Sequence, residues 1–141
     1  MLELPQTWSV PVVRGDFTDD VAWERIKEKI VEPTAEGFGA DVEFVEDRSL
    51  AGLDEAAIAG GYPRAYPDGY RHPVLFVVDA VAVSTTEQPV LAVNLNAGVG
   101  AGPFRTLPGQ VQAVQNNLSL ANMDYAEFAA AVDADGVFRG F

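Results

Sequence analysis

The sequence contains no cysteine, and His72 is the only histidine among its 141 residues. The absence of cysteine excludes disulfide bonds, thiolate nucleophiles and cysteine-ligated zinc or iron–sulfur sites. Neither a Gly-x-Ser-x-Gly elbow nor a glycine-rich phosphate-binding loop is present. We therefore expect no cofactor and no metal.

Basic residues are scarce as well. Nine Lys and Arg residues stand against 21 Asp and Glu residues, which gives a formal net charge of −12. Such a surface repels the phosphates of nucleic acids and the head groups of anionic lipids, so we expect no nucleic-acid partner. A strongly acidic surface instead steers a protein toward basic partners.

Long apolar runs are also missing. The longest run, residues 74–83, is interrupted by Asp79 and is shorter than the ~20 residues that span a membrane. The first residues, MLELPQTWSV, lack the basic and apolar regions of a signal peptide. We therefore expect a soluble cytoplasmic protein without membrane contact.

Length and composition predict a single globular domain over residues 1–141. Hydrophobic residues make up 48% of the chain and charged residues 21%, which is typical of a packed core with a solvated surface. Pro11, within the first strand signal, indicates an edge strand or the start of a strand. The periodicity predicts strands at 8–14, 41–46 and 104–107, and helices at 19–32, 53–59, around Val111 to Leu118, and after Asp124.

The centre of the fold is predicted to be an antiparallel hairpin. Residues 73–83 and 89–96 are two apolar, β-branched runs joined by the short connection 84–88. Strands with so few polar residues are covered on both faces. We therefore expect an α/β sandwich with a mixed, largely antiparallel sheet of about five strands and three to four helices.

Two stretches carry a resemblance to a known family. They are YRHPVLFVVD at 70–79 and NNLSLANMDYAEFAAAVDADGVFRGF at 116–141. The chain resembles a family of short bacterial proteins known only as a domain of unknown function, and the likeness begins at RGDFTDDVAW. The resemblance implies one compact domain and no particular activity.

Residues 62–72 form the most unusual segment of the chain. Its Pro and Gly residues predict a loop, and it holds three of the four tyrosines and the only histidine. Tyr and Arg supply large contact area and directional donors in binding surfaces, although the tyrosines would equally suit a solvated sheet edge. The candidate binding residues are Tyr62, Arg64, Tyr66, Tyr70, Arg71 and His72.

Three residues are candidates for catalysis. His72 stands before the apolar strand, where an imidazole can carry protons near neutral pH or serve as a structural hydrogen-bonding group. Asp79 interrupts that strand and needs a partner, for which Arg14 and Arg105 are the candidates. Asp16 follows the first strand beside Asp19 and Asp20, where carboxylates suit either a magnesium or calcium ion or the start of a helix.

Two functions remain open at this point. The favoured one is a non-enzymatic recognition or regulatory module that binds another protein through its acidic surface and the Tyr/Arg-rich segment 62–72. The alternative is a small cofactor-independent enzyme or metabolite-binding protein that holds a small anionic ligand with Arg71, His72 and Asp79 or Asp16. Trp8 and the apolar C-terminus also suggest a homodimer.

Overall fold

A six-stranded mixed sheet organises the part of the chain that the structure describes. The structure is a computed structural model, and it describes residues 3–63, 71–96 and 102–141. The strands are β1 (Val10–Arg14), β2 (Val42–Val45), β3 (Val74–Val78), β4 (Val90–Asn94), β5 (Phe104–Thr106) and β6 (Val137–Phe138). The helices are α1 (Asp20–Val31), α2 (Glu55–Gly60), α3 (Ala80–Ser84), α4 (Val111–Ser119) and α5 (Tyr125–Ala130), with 3₁₀ turns at Arg48–Leu50 and Pro108–Gln110.

The strand order is β2-β1-β3-β4-β5-β6. The two antiparallel pairings, β3 with β4 and β4 with β5, lie in the middle of the sheet. Parallel pairings flank them, because β1 runs parallel to both β2 and β3, and β5 runs parallel to β6. The predicted α/β class with a mixed sheet is confirmed, with six strands and five helices in the described ranges.

Both faces of the sheet are covered, as the apolar strand sequences predict. On one face, Phe76 and Val12 pack against α1, α3, α4 and α5, with Trp23 and Phe128 among the largest buried side chains. On the other face, Leu75 and Val77 pack against α2 and the N-terminal segment. Because successive residues of a strand point to opposite faces, one apolar strand such as β3 serves two separate cores. None of the described helices combines the length and apolar character needed to cross a membrane.

Helices α1 and α5 begin at acidic N-cap residues, and α1 starts one residue later than the predicted range 19–32. Asp19 lies at the N-cap of α1, where its Oδ1 accepts a hydrogen bond from the amide of Ala22 at 3.0 Å. At α5, Glu127 reaches back and accepts a bond from the amide of Asp124 at 2.7 Å, which completes a capping box. Helix α4 covers the helix predicted around Val111 to Leu118 and ends one residue later, at Ser119.

The predicted strand at 73–83 is wrong in its second half. β3 ends at Val78, and Asp79 caps the short helix α3 by accepting a bond from the amide of Ala82 at 3.1 Å. The apolar run Ala80–Val83 has no periodicity that separates a strand from a buried helix, so the carboxylate of Asp79 decides the boundary. The antiparallel pairing of β3 with β4 is confirmed, but α3 belongs to their connection.

Pro11 occupies the second position of β1, near the start of the strand as expected. The strand is not at an edge, since β2 and β3 lie on either side of it. Pairing with β3 begins only at Val12, so the missing N–H of Pro11 removes no bond from that ladder.

Candidate functional site

An exposed tryptophan lies just before β1, at the edge where β1, β2 and β3 begin. The side chain of Trp8 is 91% exposed, whereas the neighbouring Thr7 is buried. Polar residues from four parts of the chain form a connected set of contacts with the backbone that carries this tryptophan. We call this group the Trp8 corner, and it comprises Thr7, Trp8, Ser9, Asp41, Glu43, Tyr62, Arg71 and His72.

Strand β2 fixes the backbone around Trp8. The Oε1 atom of Glu43 accepts hydrogen bonds from the backbone amides of Trp8 at 2.8 Å and Ser9 at 2.9 Å. The Ser9 hydroxyl donates to Asp41 Oδ1 at 2.6 Å, and the Thr7 hydroxyl donates to the Ser9 carbonyl at 2.6 Å. Hydrogen bonds to ionised carboxylates are among the stronger ones in proteins, so this backbone is held while the indole ring faces solvent.

The only histidine supports the same backbone from the inside. His72 is 2% exposed, and its Nε2 atom lies 3.0 Å from the carbonyl oxygen of Thr7. A carbonyl oxygen only accepts, so Nε2 carries the proton in this contact. The backbone amide of His72 donates to the hydroxyl of Tyr62 at 2.9 Å, and the two rings meet edge to face with centroids 6.4 Å apart.

Arg71 covers the outer side of Tyr62. Its guanidinium carbon lies 5.0 Å from the centre of the Tyr62 ring, and its Nε donates to the carbonyl of Leu95 at 3.1 Å. The structure thus brings together Tyr62, Arg71 and His72, three of the predicted binding residues. Tyr62 and His72 have buried side chains, and of the three only Arg71 is half-exposed. Arg64, Tyr66 and Tyr70 lie outside the described residues.

The predicted catalytic residues do not meet. His72 precedes β3 and Asp79 follows it, so seven residues at about 3.3 Å each place them roughly 20 Å apart. Asp16 lies at the same edge as Asp79, where its Oδ1 accepts a bond from the amide of Thr18 at 2.9 Å. A single pocket cannot contain both His72 and either of these carboxylates.

Asp79 has the partner that the sequence suggests. Arg105 donates to both carboxylate oxygens, at 3.0 Å and 2.7 Å, and also to the carbonyl of Pro89 at 3.0 Å. Both side chains are about three-quarters buried, with 28% and 21% exposed. This forked pair ties α3 to β5 and leaves the Asp79 carboxylate fully engaged.

Arg14, the other candidate partner of Asp79, is engaged elsewhere. Its guanidinium is 3% exposed, lies 4.5 Å from the centre of the Phe17 ring and donates to Asp20 at 2.6 Å. The hydrogen bond from Arg14 holds the pKa of Asp20 below its ordinary value, although that carboxylate is exposed. Arg139 is likewise held by Glu87, Asp133 and Asp135. Arg14, Arg105 and Arg139 are thus turned toward the protein's own carboxylates, and exposed side chains such as those of Glu28, Glu32 and Glu36 carry negative charge.

An open depression of about 490 Å³ lies beside the N-terminal segment that leads to Trp8. Its lining comes from the N-terminal segment and from two loops of the same side of the sheet: Glu3, Leu4, Pro5, Gln6, Asp47 and Pro63. Within residues 3–63, 71–96 and 102–141, no three His, Asp or Glu side chains are grouped as a metal would require. The depression is shallow and carries two carboxylates, Glu3 and Asp47, which suits a basic side chain better than an anion.

Sequence reasoning noticed Trp8 only as a possible dimer contact and missed its supports. In the sequence, Asp41 and Glu43 have the pattern of outward-facing residues in a half-exposed strand, and no pattern marks Thr7 as part of a site. The contacts that join them span 35, 32 and 65 residues, and no local pattern encodes such distances.

Comparison with known proteins gives one match. A protein-family model described as a domain of unknown function, DUF6924, matches residues 9–141. The predicted resemblance to a family known only as a domain of unknown function is thereby confirmed. No curated protein and no solved structure matches the chain.

Proposed function

We propose that this chain, which belongs to the DUF6924 family, is a non-enzymatic recognition module for a basic protein partner. The partner contacts the Trp8 corner, and the acidic surface attracts it. The observation that carries the proposal is the 91% exposed side chain of Trp8 on a backbone held by Glu43 and His72.

An exposed tryptophan side chain forgoes the free energy of burial unless a partner covers it. Leaving a large apolar side chain in water forgoes roughly 1.5–3 kcal/mol of burial free energy. Tryptophan is also enriched among the residues that dominate binding energy at protein interfaces. Because Glu43 and His72 already order the backbone of residues 7–9, little conformational entropy is lost when a partner covers the indole ring.

The charge of the protein selects the kind of partner. With a net charge of −12, the protein repels other acidic molecules and accelerates encounter with basic ones. Asp41 and Glu43 lie in the Trp8 corner itself, and Glu3 and Asp47 line the depression beside the N-terminal segment. A Lys or Arg side chain that enters this region meets carboxylates and the face of an indole ring, both of which attract cations.

The Tyr/Arg-rich segment has a supporting part in this proposal. Tyr62 and His72 are buried and hold the corner together, while the half-exposed Arg71 is available at its surface. The alternative of a small enzyme or a binder of an anionic metabolite requires His72 and an acid in one pocket. Because His72 and Asp79 lie at opposite ends of β3, no specific observation favours that alternative.

The test is capture of a partner by the immobilised protein and by two variants. Trp8→Ala removes the exposed indole. Val21→Ala is the matched control, because Val21 is an exposed apolar residue, 61% accessible, in the first turn of α1, which follows the opposite end of β1. We expect wild type and Val21→Ala to retain the same basic protein, and Trp8→Ala to lose it. High salt weakens the capture, since the attraction is partly electrostatic.

Binding of the purified partner to the purified protein then distinguishes this proposal from the alternative of an enzyme or metabolite-binding protein. This binding is followed by the fluorescence of Trp8, which shifts to the blue when the ring is covered, while the buried Trp23 serves as an internal reference. Equal binding by Trp8→Ala would refute the proposal. A thermal-shift screen against metabolites, with His72→Ala and Arg71→Ala alongside, tests the alternative, because a ligand at about 100 times its Kd adds about 2.7 kcal/mol of stability.

A further inference from the structure

The free edge of β2 lies beside the Trp8 corner. β2 is the terminal strand of the sheet, and β1 lies along its inner side. No other strand in the described ranges pairs with its outer side. An edge strand of this kind presents unpaired N–H and C=O groups, which form a template for an added strand.

The register identifies which groups of β2 face outward. Val10 pairs with Val42, and the amide of Val10 donates to the carbonyl of Asp41 at 3.2 Å. Along a parallel ladder, alternate residues direct their N–H and C=O groups to the same neighbour. Asp41 and Glu43 therefore bond to β1, and the backbone groups of Val42 and Phe44 point away from the sheet.

The side chains of this edge alternate in chemistry. Val42 and Phe44 point to the face covered by α1 and are partly buried against that core. Glu43 points to the other face, where it holds the backbone of Trp8. A strand added alongside β2 therefore meets apolar side chains on one face, and the carboxylate of Glu43 on the other.

The same charges disfavour pairing between two copies of this chain. Two β2 edges side by side would bring together two sets of Asp41 and Glu43 on molecules that each carry a charge of −12. Like charges directly opposite each other destabilise a strand pair, whereas opposite charges stabilise it by roughly 0.2–1 kcal/mol per pair. The edge thus excludes its own copy and accepts a basic segment.

We infer that the outer edge of β2 binds an extended segment of the basic partner as an additional strand, with alternating basic and apolar residues. The inference rests on the proposed function and names the place and the form of the contact. Main-chain hydrogen bonds to Val42 and Phe44 supply affinity, and cationic side chains beside Glu43 supply selectivity.

The probe is a synthetic peptide of about eight residues that alternates Lys and Val, a length typical of strands. A fully N-methylated version keeps the charges and loses every amide donor, and a version with Glu in place of Lys reverses the charge. Each peptide is titrated into the ¹⁵N-labelled full-length protein. We expect only the unmodified Lys peptide to shift resonances, with the largest changes and new amide protection at Val42 and Phe44.

A substitution in β2 tests whether the peptide binds at this edge. Val42→Pro removes an amide that points away from β1 and should weaken the Lys peptide about tenfold or more, a loss of about 1.4 kcal/mol. Val21→Ala again serves as the control and should bind as the wild type does. If Val42→Pro does not fold, the titration of the unaltered protein remains decisive.

The outcomes separate this inference from the proposed function. Equal binding of the N-methylated peptide, or shifts centred on another edge, would overturn strand addition and leave the recognition of basic partners standing. If the Lys peptide does not bind while a captured partner still needs Trp8, strand addition is again overturned and the recognition of basic partners stands. If a captured partner binds equally well without Trp8, the proposed function itself fails. A dimer that forms through β2 would refute the exclusion of a second copy.

Discussion

The Nε2 atom of His72 contacts the carbonyl oxygen of Thr7 at 3.0 Å, across 65 residues of sequence. This buried bond joins the start of β3 to the segment that displays Trp8. The histidine that the sequence presents as a candidate acid or base, or as a structural hydrogen-bonding group, supports the segment of a surface tryptophan through this bond. The same bond gives the first prediction.

Replacing His72 should destabilise the fold and loosen the Trp8 segment. His72→Phe keeps an aromatic ring but removes the donor, which leaves the Thr7 carbonyl without its bond to the imidazole. A buried polar group that loses its partner costs about 1–3 kcal/mol. Urea denaturation should show this loss for His72→Phe and at least as large a loss for His72→Ala. A variant as stable as the wild type would show that the bond contributes nothing.

Gly15 should not tolerate a side chain. A Cβ atom at this position would lie 3.1 Å from Cγ1 of Val77 and 3.4 Å from the carbonyl oxygen of Val78, both in β3. Gly15→Ala should therefore lower the free energy of unfolding by about 1–3 kcal/mol through overpacking. Gly109→Ala is the matched control, because nothing lies within 4 Å of its added Cβ. Equal stability of the two variants, measured by thermal or urea unfolding, would contradict the close approach.

Asp79 has two roles that substitution can separate. Asp79→Asn keeps an oxygen that can cap α3 and loses the ion pair with Arg105, whereas Asp79→Ala loses both. Loss of an N-cap acceptor costs about 0.5–2 kcal/mol. Asp79→Ala should therefore be the less stable variant in urea denaturation. If the Asn variant loses as much, the ion pair outweighs the cap.

Stability should fall in acid, partly through the carboxylates around Arg139. Hydrogen bonds from Arg139 hold the pKa values of Glu87 and Asp135 below their ordinary values. Because both pKa values are lower in the folded state, the stabilisation is complete above the unfolded pKa values of about 4 and disappears as the pH falls through the folded values.

Arg139→Gln tests this dependence. The variant should lose stability at neutral pH and show a shallower decline between pH 5 and pH 2, as measured by urea midpoints at each pH. Lys27, which pairs with Glu24 at 3.0 Å within α1, offers a control in Lys27→Gln. An unchanged slope in Arg139→Gln would place the acid sensitivity elsewhere.

Local signals predicted many of the elements correctly. The helix start at Asp19, the capping box at Asp124 and the apolar runs of β3 and β4 depend on neighbours within a few residues, so the sequence displays them directly. The apolar run Ala80–Val83 was misassigned, because its composition suits a strand and a buried helix equally and only the cap at Asp79 distinguishes them.

The site was harder to predict than the fold. Composition singled out the segment 62–72, and three of its residues do lie together, but their burial depends on how the N-terminal segment crosses β3. Burial cannot be read from Tyr or His, since both occur inside and outside proteins. The exposure of Trp8 was not predicted, because the local sequence does not distinguish an isolated surface tryptophan from a core tryptophan.

The sequence by itself determined the charge of −12, the absence of thiol chemistry, the apolar strands and the helix caps, because each depends on composition or on contacts within one turn or strand. Tertiary structure alone decided that His72 and Asp79 lie at opposite ends of one strand, that Glu43 and His72 hold the segment of Trp8, and that β2 is left at the edge. Strand order and long-range hydrogen bonds arise from packing two faces of one sheet at once. That choice is made by the whole chain and by no local pattern within it.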